Sequence, residues 1–132
     1  MADILIFEDN TALASYWCTL LEAEQHQVRC CSTVSAALQL VSEKAPDLLI
    51  ADMLIKQNNR FEAEGGLTLL TKLKLTGTFS SPILGVSGFK PGPYAQATAL
   101  DAAQQIGIDM ALYKPIEPEQ LLAAVKKLLA GY

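Results

Sequence analysis

Five side chains that could take part in ionic or phosphoryl chemistry stand where short apolar runs of the sequence end: Glu8, Asp9, Asp52, Ser87 and Lys114. Carboxylates that lie close together repel one another unless some are protonated or a cation lies among them. Their hard oxygen atoms suit Mg²⁺ or Mn²⁺, and no histidine or cysteine stands at these positions to favour zinc. A lysine and a hydroxyl beside such a cation could each face one oxygen of a phosphoryl group.

The apolar runs alternate with segments of helical period, and this order predicts an α/β domain. Because strand and helix alternate, we expect a doubly wound five-stranded parallel sheet with helices on both faces. The carboxyl ends of its strands would then form one edge, where open α/β sheets bind ligands. The predicted strands cover residues 4–7, 28–31, 48–51, 82–86 and 110–113.

Local signals place several helix ends. Asn10 or Thr11 can cap the first helix, whose Tyr16 and Trp17 are predicted core residues. Pro46 ends the second helix near residue 45, because the residue before a proline disfavours helical geometry. The last helix begins near Pro118. Two further helices are predicted, one opened by Gly65 and Gly66 and one that is alanine-rich and terminated by Gly107.

The composition predicts one globular domain over residues 1–132. Half of the residues are apolar (51%), and the formal net charge of −4 argues against nucleic-acid binding. No long apolar run or secretion signal is present in the sequence, so we expect a cytoplasmic protein without membrane association. The three cysteines, Cys18, Cys30 and Cys31, lack metal-ligand or disulfide-framework spacing and are predicted to be inert thiols.

The strand-end residues, in their order along the chain, resemble those of the receiver domains of two-component response regulators. The resemblance is in particular to stand-alone, chemotaxis-regulator-like receivers. The resemblance covers essentially the whole chain and is carried by Glu8-Asp9-Asn10, residues 46–53, Ser87-Gly88 and Lys114-Pro115. It implies a flavodoxin-like fold with the strand order 2-1-3-4-5. It also implies a signalling phosphoacceptor that catalyses only its own phosphorylation and dephosphorylation.

The resemblance implies a role for each matching position. Asp52 would accept the phosphoryl group from a phosphohistidine of a sensor kinase or phosphotransfer protein. Lys114 and Ser87 would hold the phosphoryl oxygens, Gly88 would leave space for them, and the Lys114–Pro115 bond would be cis. Magnesium would be bound by a set of oxygen atoms: the carboxylates of Asp9 and Asp52, the backbone carbonyl of Leu54 and, through a water, Glu8.

The sequence departs from the family pattern on both sides of the predicted site. The glycine expected soon after the phosphoacceptor is missing; the next ones are Gly65 and Gly66, so residues 56–60 are predicted to be an insertion. The loop after Ser87 is also lengthened. Ala111 occupies the position of the family's switch aromatic, while Tyr113 stands two residues later, which puts the usual coupling to Ser87 in doubt.

Two positions that tune hydrolysis in the family, Leu54 and Phe89, are apolar here. Apolar groups cannot orient an attacking water, so a long-lived phospho-Asp52 is predicted. The partner's histidine-bearing helix is expected at the small-residue face of the first helix, formed by Thr11, Ala14, Ser15 and Cys18. A downstream protein target and a phosphorylation-dependent dimer are further expectations.

Other interpretations remain open at this point. The strand-end acids could be helix caps, with Lys114 simply paired to Asp52. A nucleotide or flavin site would need a phosphate loop after the first strand, and a haloacid-dehalogenase-type phosphatase would need a second acid at Leu54. The main alternative is a receiver-like interaction scaffold that signals without a phosphorylation switch.

Overall fold

The computed structural model contains one five-stranded parallel sheet. It describes residues 2–53, 56–57, 60–61, 66–77, 79–87 and 107–131. The sheet strands are β1 (Asp3–Phe7), β2 (Gln27–Cys31), β3 (Leu48–Asp52), β6 (Ile83–Ser87) and β7 (Met110–Tyr113). Their order across the sheet is β2-β1-β3-β6-β7. When these five strands are counted in chain order, this is the predicted 2-1-3-4-5 pattern, so the predicted fold is confirmed.

Four helices in the described part of the chain pack against the two faces of this sheet. They are α1 (Thr11–Ala23), α2 (Val34–Glu43), α3 (Gly66–Thr76) and α4 (Pro118–Leu129). One core lies between the sheet and α2 with α3; it includes Phe7, Ala37 and Leu69. The other lies between the sheet and α1 with α4, and it includes Ile6, Trp17 and Leu121. The central strands are buried on both faces, which explains why they appear in the sequence as unbroken apolar runs.

Helices α1 and α4 begin at the predicted residues, and α2 has a cap that was not predicted. The side chain of Asn10 accepts a hydrogen bond from the Leu13 N–H at 3.1 Å, and Thr33 caps α2 through Ala36 in the same way. Pro118 occupies the first turn of α4. The second helix ends at Glu43, two residues before the predicted end. These caps fix where each helix leaves the sheet edge.

The structure corrects two predictions. Tyr16 is 47% exposed and is not a core residue, because on a helix it points about 100° away from the buried Trp17. Ala14, predicted on the small-residue surface of α1, is buried. The polar insertion contains a short antiparallel pair, β4 (Lys56–Gln57) with β5 (Arg60–Phe61), which the sequence analysis did not predict.

Gly66 fixes the start of α3 against the end of β3. A Cβ atom on Gly66 would collide with the carbonyl oxygen of Asp52 and with the backbone and side chain of Met53. Only glycine allows this close approach of the two backbones. The insertion therefore leaves and rejoins the fold at two points that touch each other.

None of the helices in the described part of the chain combines the length and apolar character that crossing a bilayer requires. The predicted alanine-rich helix and the lengthened loop after Ser87 lie in residues 88–106, outside the described residues.

Candidate phosphoryl-transfer site

The carboxyl ends of the parallel strands bring the five predicted side chains to one edge of the sheet. Glu8 and Asp9 follow β1, and Lys114 follows β7. Asp52 and Ser87 are the last residues of β3 and β6. Backbone hydrogen bonds hold these ends in register: the Lys114 N–H donates to the Ser87 carbonyl at 2.8 Å, and the Met53 N–H donates to Val86 at 2.9 Å.

Lys114 lies between two buried carboxylates. Its Nζ donates to Glu8 Oε1 at 2.6 Å and to Asp52 Oδ2 at 3.1 Å. Both acids are almost fully buried, at 2% relative exposure each. One lysine cannot neutralise this group, because Asp9 adds a third carboxylate to it.

The Glu8 carboxylate carries the electrostatic strain of this arrangement. Burial and the negative charge of Asp52 raise the pKa of Glu8 from 4.5 to about 7, against the opposing hydrogen bonds from Lys114 and the Asn10 N–H. The Asn10 N–H donates to Glu8 Oε2 at 3.1 Å, so both carboxylate oxygens have a donor. Crowded acids are expected either to be protonated or to bind a cation. With a pKa of about 7, Glu8 is partly protonated near neutral pH when no cation is bound.

Lys114 stays an ammonium ion in this pocket. Burial lowers its pKa, but the hydrogen bond to Glu8 and the charges of Asp52 and Glu8 outweigh this, so the net shift of the Lys114 pKa is upward. Its Nζ also lies 5.9 Å from the centre of the Trp17 ring, near the outer limit for a cation–π contact. Trp17 thus connects α1 to the charged site.

The three carboxylates fit a divalent cation. One carboxylate oxygen of each of Glu8, Asp9 and Asp52 lies within 4.8 Å of those of the other two. Three carboxylates and one ammonium leave an excess of two negative charges when all are ionised, which one divalent ion would balance. Hard carboxylate oxygens with no nitrogen or sulfur in the group favour Mg²⁺ or Mn²⁺.

Ser87 and Tyr113 are neighbours across the strand pair β6–β7. Ser87 is buried and lies in register with Tyr113, while Ala111 lies in register with Gly85. Ala111 and Tyr113 both pack against the core beneath α2 and α3. An aromatic ring is therefore present on this face of β7, but Tyr113 lies two residues closer to the site than Ala111, which occupies the family's switch position.

The structure brings together Glu8, Asp9, Asp52 and Lys114, and it places Ser87 at the end of the strand between Asp52 and Lys114. The Lys114–Pro115 peptide bond is cis, as predicted. The predicted contributions of Leu54, Gly88 and Phe89 fall outside the described residues.

Sequence analysis missed three contributions to this site. The direct bond between Glu8 and Lys114 was not predicted, since strand order does not show which acid a lysine will choose. Trp17 was predicted only as core, and its lysine neighbour could not be read from helical spacing. The role of Gly66 had a signal: it is a glycine near the phosphoacceptor, displaced by the insertion.

A parallel five-stranded sheet with acids, a hydroxyl and a lysine at its carboxyl edge defines the receiver class of α/β proteins. The family model for the response regulator receiver domain matches residues 4–126, so the chain belongs to this family. Members of the family are signalling phosphoacceptors of two-component systems, bind Mg²⁺ at an acidic cluster, and interact with histidine kinases and downstream effectors.

Solved structures support the same fold. The chain is 29% identical to a proposed response regulator from Chloroflexus aurantiacus J-10-fl, with 98% of each chain covered and a TM-score of 0.78. It is 22% identical to the receiver domain of NtrX from Brucella abortus, covering 98% of this chain and 100% of that one, with a TM-score of 0.82.

A third structural match is the signal receiver domain of a signal transduction histidine kinase from Syntrophus aciditrophicus. It is 24% identical over 99% of this chain and 92% of that one, with a TM-score of 0.81. Against the longer NtrX chain from Brucella abortus in complex with ATP, which is 23% identical with a TM-score of 0.82, this chain covers 98% of its own length and 27% of that chain. It therefore spans about a quarter of the length of that relative. No curated protein matches the sequence significantly.

Proposed function

We propose that the chain accepts a phosphoryl group on Asp52, in a step that requires Mg²⁺, and that this modification changes its contacts with other proteins. The observation that carries the proposal is the convergence of Asp52 with Glu8, Asp9 and Lys114. A structural ion pair would need one acid for one lysine. Here two carboxylates bond a single ammonium and a third lies beside them, and this excess of negative charge suits a cation together with an incoming phosphoryl group.

In the proposed step, a carboxylate oxygen of Asp52 attacks the phosphorus atom of a phosphohistidine. A bond from that oxygen to phosphorus forms while the phosphorus–nitrogen bond breaks, and the histidine leaves with the electron pair. Lys114 offsets the charge on the phosphoryl oxygens, and the Ser87 hydroxyl donates a hydrogen bond to one of them. Lys114 needs only a small shift, since its Nζ already lies 3.1 Å from Asp52 Oδ2.

The cation would be held by the carboxylates of Asp9 and Asp52, with Glu8 acting through a water and Leu54 through its backbone carbonyl. It would neutralise charge on the transferred group and reduce repulsion between that group and the acids. Hydrogen bonds from the Asn10 N–H and from Lys114 fix the Glu8 carboxylate in place beside the other ligands.

The proposed partners are a sensor histidine kinase or histidine phosphotransfer protein as donor, and a protein target downstream. On α1, Thr11 and Ser15 are exposed and Cys18 is half-buried, so these small side chains offer a close approach to a partner helix. Ala14, although part of the predicted surface, supports it from below.

Mass spectrometry after incubation with acetyl phosphate and Mg²⁺ tests the proposal. We expect the mass of one phosphoryl group to be added, and the modified peptide to contain Asp52. Asp52→Asn keeps the shape of the side chain but removes the nucleophile, so no addition is expected; Asp47→Asn is the matched control at an exposed aspartate. Modification of Asp52→Asn to the level of the parent chain would refute the assignment.

The chain is also expected to keep its phosphoryl group for a long time. Leu54 and Phe89 cannot orient a hydrolytic water, so Leu54→Asn should speed the loss of label from Asp52. Time courses after removal of the phosphodonor measure both rates. Loss from the unmodified sequence within seconds at neutral pH would contradict this prediction, as would identical rates in the two chains.

One observation favours a different output: Ala111 cannot act as a rotating aromatic switch. If the chain is a scaffold without a phosphorylation switch, beryllofluoride with Mg²⁺ will leave both the Trp17 fluorescence and the oligomeric state unchanged. We expect the fluorescence to change, because Trp17 lies against Lys114 in the site.

A further inference from the structure

Two cysteines that are distant in sequence line the same groove between α1 and β2. This groove, of about 370 Å³, is bordered by Cys18 of α1, Cys30 of β2, Ser15 and the site residue Glu8. Side chains alternate along β2, and Val28 packs into the core that contains Trp17 of α1. Cys30, two residues after Val28, therefore points to the α1 side of the sheet.

The Cys18 thiol has two neighbours, one on β2 and one on its own helix. It interacts with the Cys30 thiol and with the carboxylate of Glu22, one turn further along α1. Cys30 is exposed and Cys18 is half-buried, so reagents in solution can reach the pair.

The third cysteine provides a built-in control. Cys31 points to the opposite face of the sheet, where it packs against the core beneath α2 and α3. Its Sγ donates to the Ile6 carbonyl oxygen at 3.6 Å. Cys31 adjoins Cys30 and also borders the groove, but its thiol bonds to Ile6 and packs on the other side of the sheet from Cys18.

We propose that Cys18 and Cys30 form a reversible intramolecular disulfide, with a low-molecular-weight disulfide such as oxidised glutathione as the oxidant. The crosslink would join α1 to the edge strand β2 beside the groove that Glu8 borders. The two residues border one groove, their thiols interact, and β2 is an edge strand. The proposal requires that changes in side-chain torsion bring the sulfur atoms to the bonding distance of about 2.05 Å.

The exchange proceeds in two balanced steps. Cys30, the more exposed thiol, loses its proton and attacks one sulfur of oxidised glutathione, which releases one glutathione thiolate and leaves a mixed disulfide on Cys30. Cys18 then loses its proton and attacks the Cys30 sulfur, which expels the second glutathione. The two protein thiols are oxidised, two glutathione molecules are released, and the two protons end on them.

The surroundings of the pair make this reaction depend on pH. Burial, with the nearby Glu22 and Cys30, raises the pKa of Cys18 to about 11, and burial also raises the pKa of Cys30. Because the thiolate is the nucleophile, both steps should accelerate as the pH is raised above neutral.

The test is oxidation of the fully reduced folded chain with oxidised glutathione at mildly alkaline pH, followed by alkylation of the remaining thiols and peptide mapping. We expect the intact chain to lose two hydrogen masses, Cys18 and Cys30 to be found linked, and Cys31 to be alkylated. A roughly tenfold excess of this product over the mixed disulfide is expected, because the second thiol is held nearby. Dithiothreitol added before alkylation should restore the Cys18 and Cys30 thiols, so that all three cysteines are then alkylated.

Matched variants separate this pair from other reactions. Cys31→Ser should form the same disulfide, whereas Cys18→Ser should stop at the mixed disulfide on Cys30. Asp52→Asn should also form it, because the reaction does not involve the proposed phosphoacceptor. Linkage of Cys30 to Cys31, a crosslink between two chains, or accumulation of the mixed disulfide in the unmodified sequence would each overturn the inference.

Discussion

Two groups of charged side chains lie at different places on the same sheet and solve the problem of a buried acid in opposite ways. Near the amino end of β1, Asp3 is buried with two basic partners. Arg29 donates to its Oδ1 from Nε and a terminal nitrogen at 3.1 and 2.9 Å, and Lys44 lies 3.2 Å from its Oδ2. At the carboxyl edge, three acids lie together, and one lysine bonds two of them.

The two groups differ in what each has in excess: the Asp3 group has extra hydrogen-bond donors, and the carboxyl-edge group has extra negative charge. Arg29 has further donors, and these bind the carbonyl oxygens of Leu40 and Lys44 at the end of α2, both at 2.8 Å. In that group the negative charge of Asp3 is fully neutralised, and the remaining Arg29 donors complete a helix terminus. The carboxyl-edge group keeps an excess of negative charge, at a cost that shows in the raised pKa of Glu8. Matched charge holds the fold together, whereas unmatched charge leaves a place for a ligand.

The largest effect on stability is expected from Arg29→Met. This change leaves Asp3 buried with only the more exposed Lys44, and it removes two donors from the end of α2. The free energy of unfolding, measured by urea denaturation, should fall by about 3 kcal/mol. Mg²⁺ should not restore it, and Lys126→Met, an exposed control on α4, should change little. A loss no greater than the control's would break the distinction between the two groups.

The next effect concerns Glu8 and depends on pH. The folded chain binds the Glu8 proton more tightly than the unfolded chain does, since the pKa is about 7 when folded and 4.5 in its ordinary state. Without a divalent cation, the free energy of unfolding should fall by about 3 kcal/mol as the pH rises through this window. Urea denaturation in EDTA across this pH range measures it.

Glu8→Gln is the matched variant for this prediction. It should flatten the pH dependence and make the chain more stable than the parent above pH 7 in EDTA. Saturating Mg²⁺ should also stabilise the parent chain more at high pH than at low pH, because protons compete with the cation. An unchanged slope in Glu8→Gln would show that Glu8 is not the titrating group.

Gly66→Ala should have a smaller effect on the free energy of unfolding. It disturbs the backbone that supports the carboxyl-edge site and leaves the charges of that site unchanged. The new methyl group would meet the Asp52 carbonyl and Met53, and relief of this overlap should cost about 2 kcal/mol. Gly77→Ala provides a contrast: the space around Gly77 is open, although its positive φ of 70° adds strain of its own. An equal Mg²⁺ response in Gly66→Ala and the parent would show that Asp52 keeps its position.

The smallest effect is expected from Lys44→Met. The Lys44 side chain is 62% exposed, so water and salt screen its attraction to Asp3. Loss of this pair should change the free energy of unfolding by at most about 0.5 kcal/mol. A loss as large as that of Arg29→Met would mean that both bases, not the arginine alone, neutralise Asp3.

Much of the fold could be predicted from sequence because the parallel strands are buried on both faces. Such strands form unbroken apolar runs that end abruptly, and Asp52 and Ser87 mark two of those ends. The β4–β5 pair could not be predicted in this way: its two-residue strands have no apolar pattern, and Asn58-Asn59 was the only turn signal. Tyr16 was misplaced because it and Trp17 are adjacent in sequence but lie on different helix faces.

The residues that form the site could be predicted from the sequence, but the hydrogen bonds between them could not. Strand order places Glu8, Asp9, Asp52 and Lys114 at one edge, yet it does not determine that Lys114 binds Glu8 more closely than Asp52. The Asp3–Arg29 group and the Cys18–Cys30 contact were missed for a related reason. Each joins side chains from neighbouring elements, and their meeting depends on strand register and helix rotation, which the sequence pattern does not specify.

The contact between Gly66 and the end of β3 has a consequence for how such a protein can diversify. The chain departs at Asp52 and returns at Gly66, and these two anchor points are fixed against each other. Residues 56–65 lie between these anchor points, come after Leu54 and contribute none of the proposed ligands, so changes there should have little effect on the acidic edge. The segment therefore resembles a cassette: a lineage, or a protein engineer, could exchange it for another recognition element while the neighbouring chemistry stays intact.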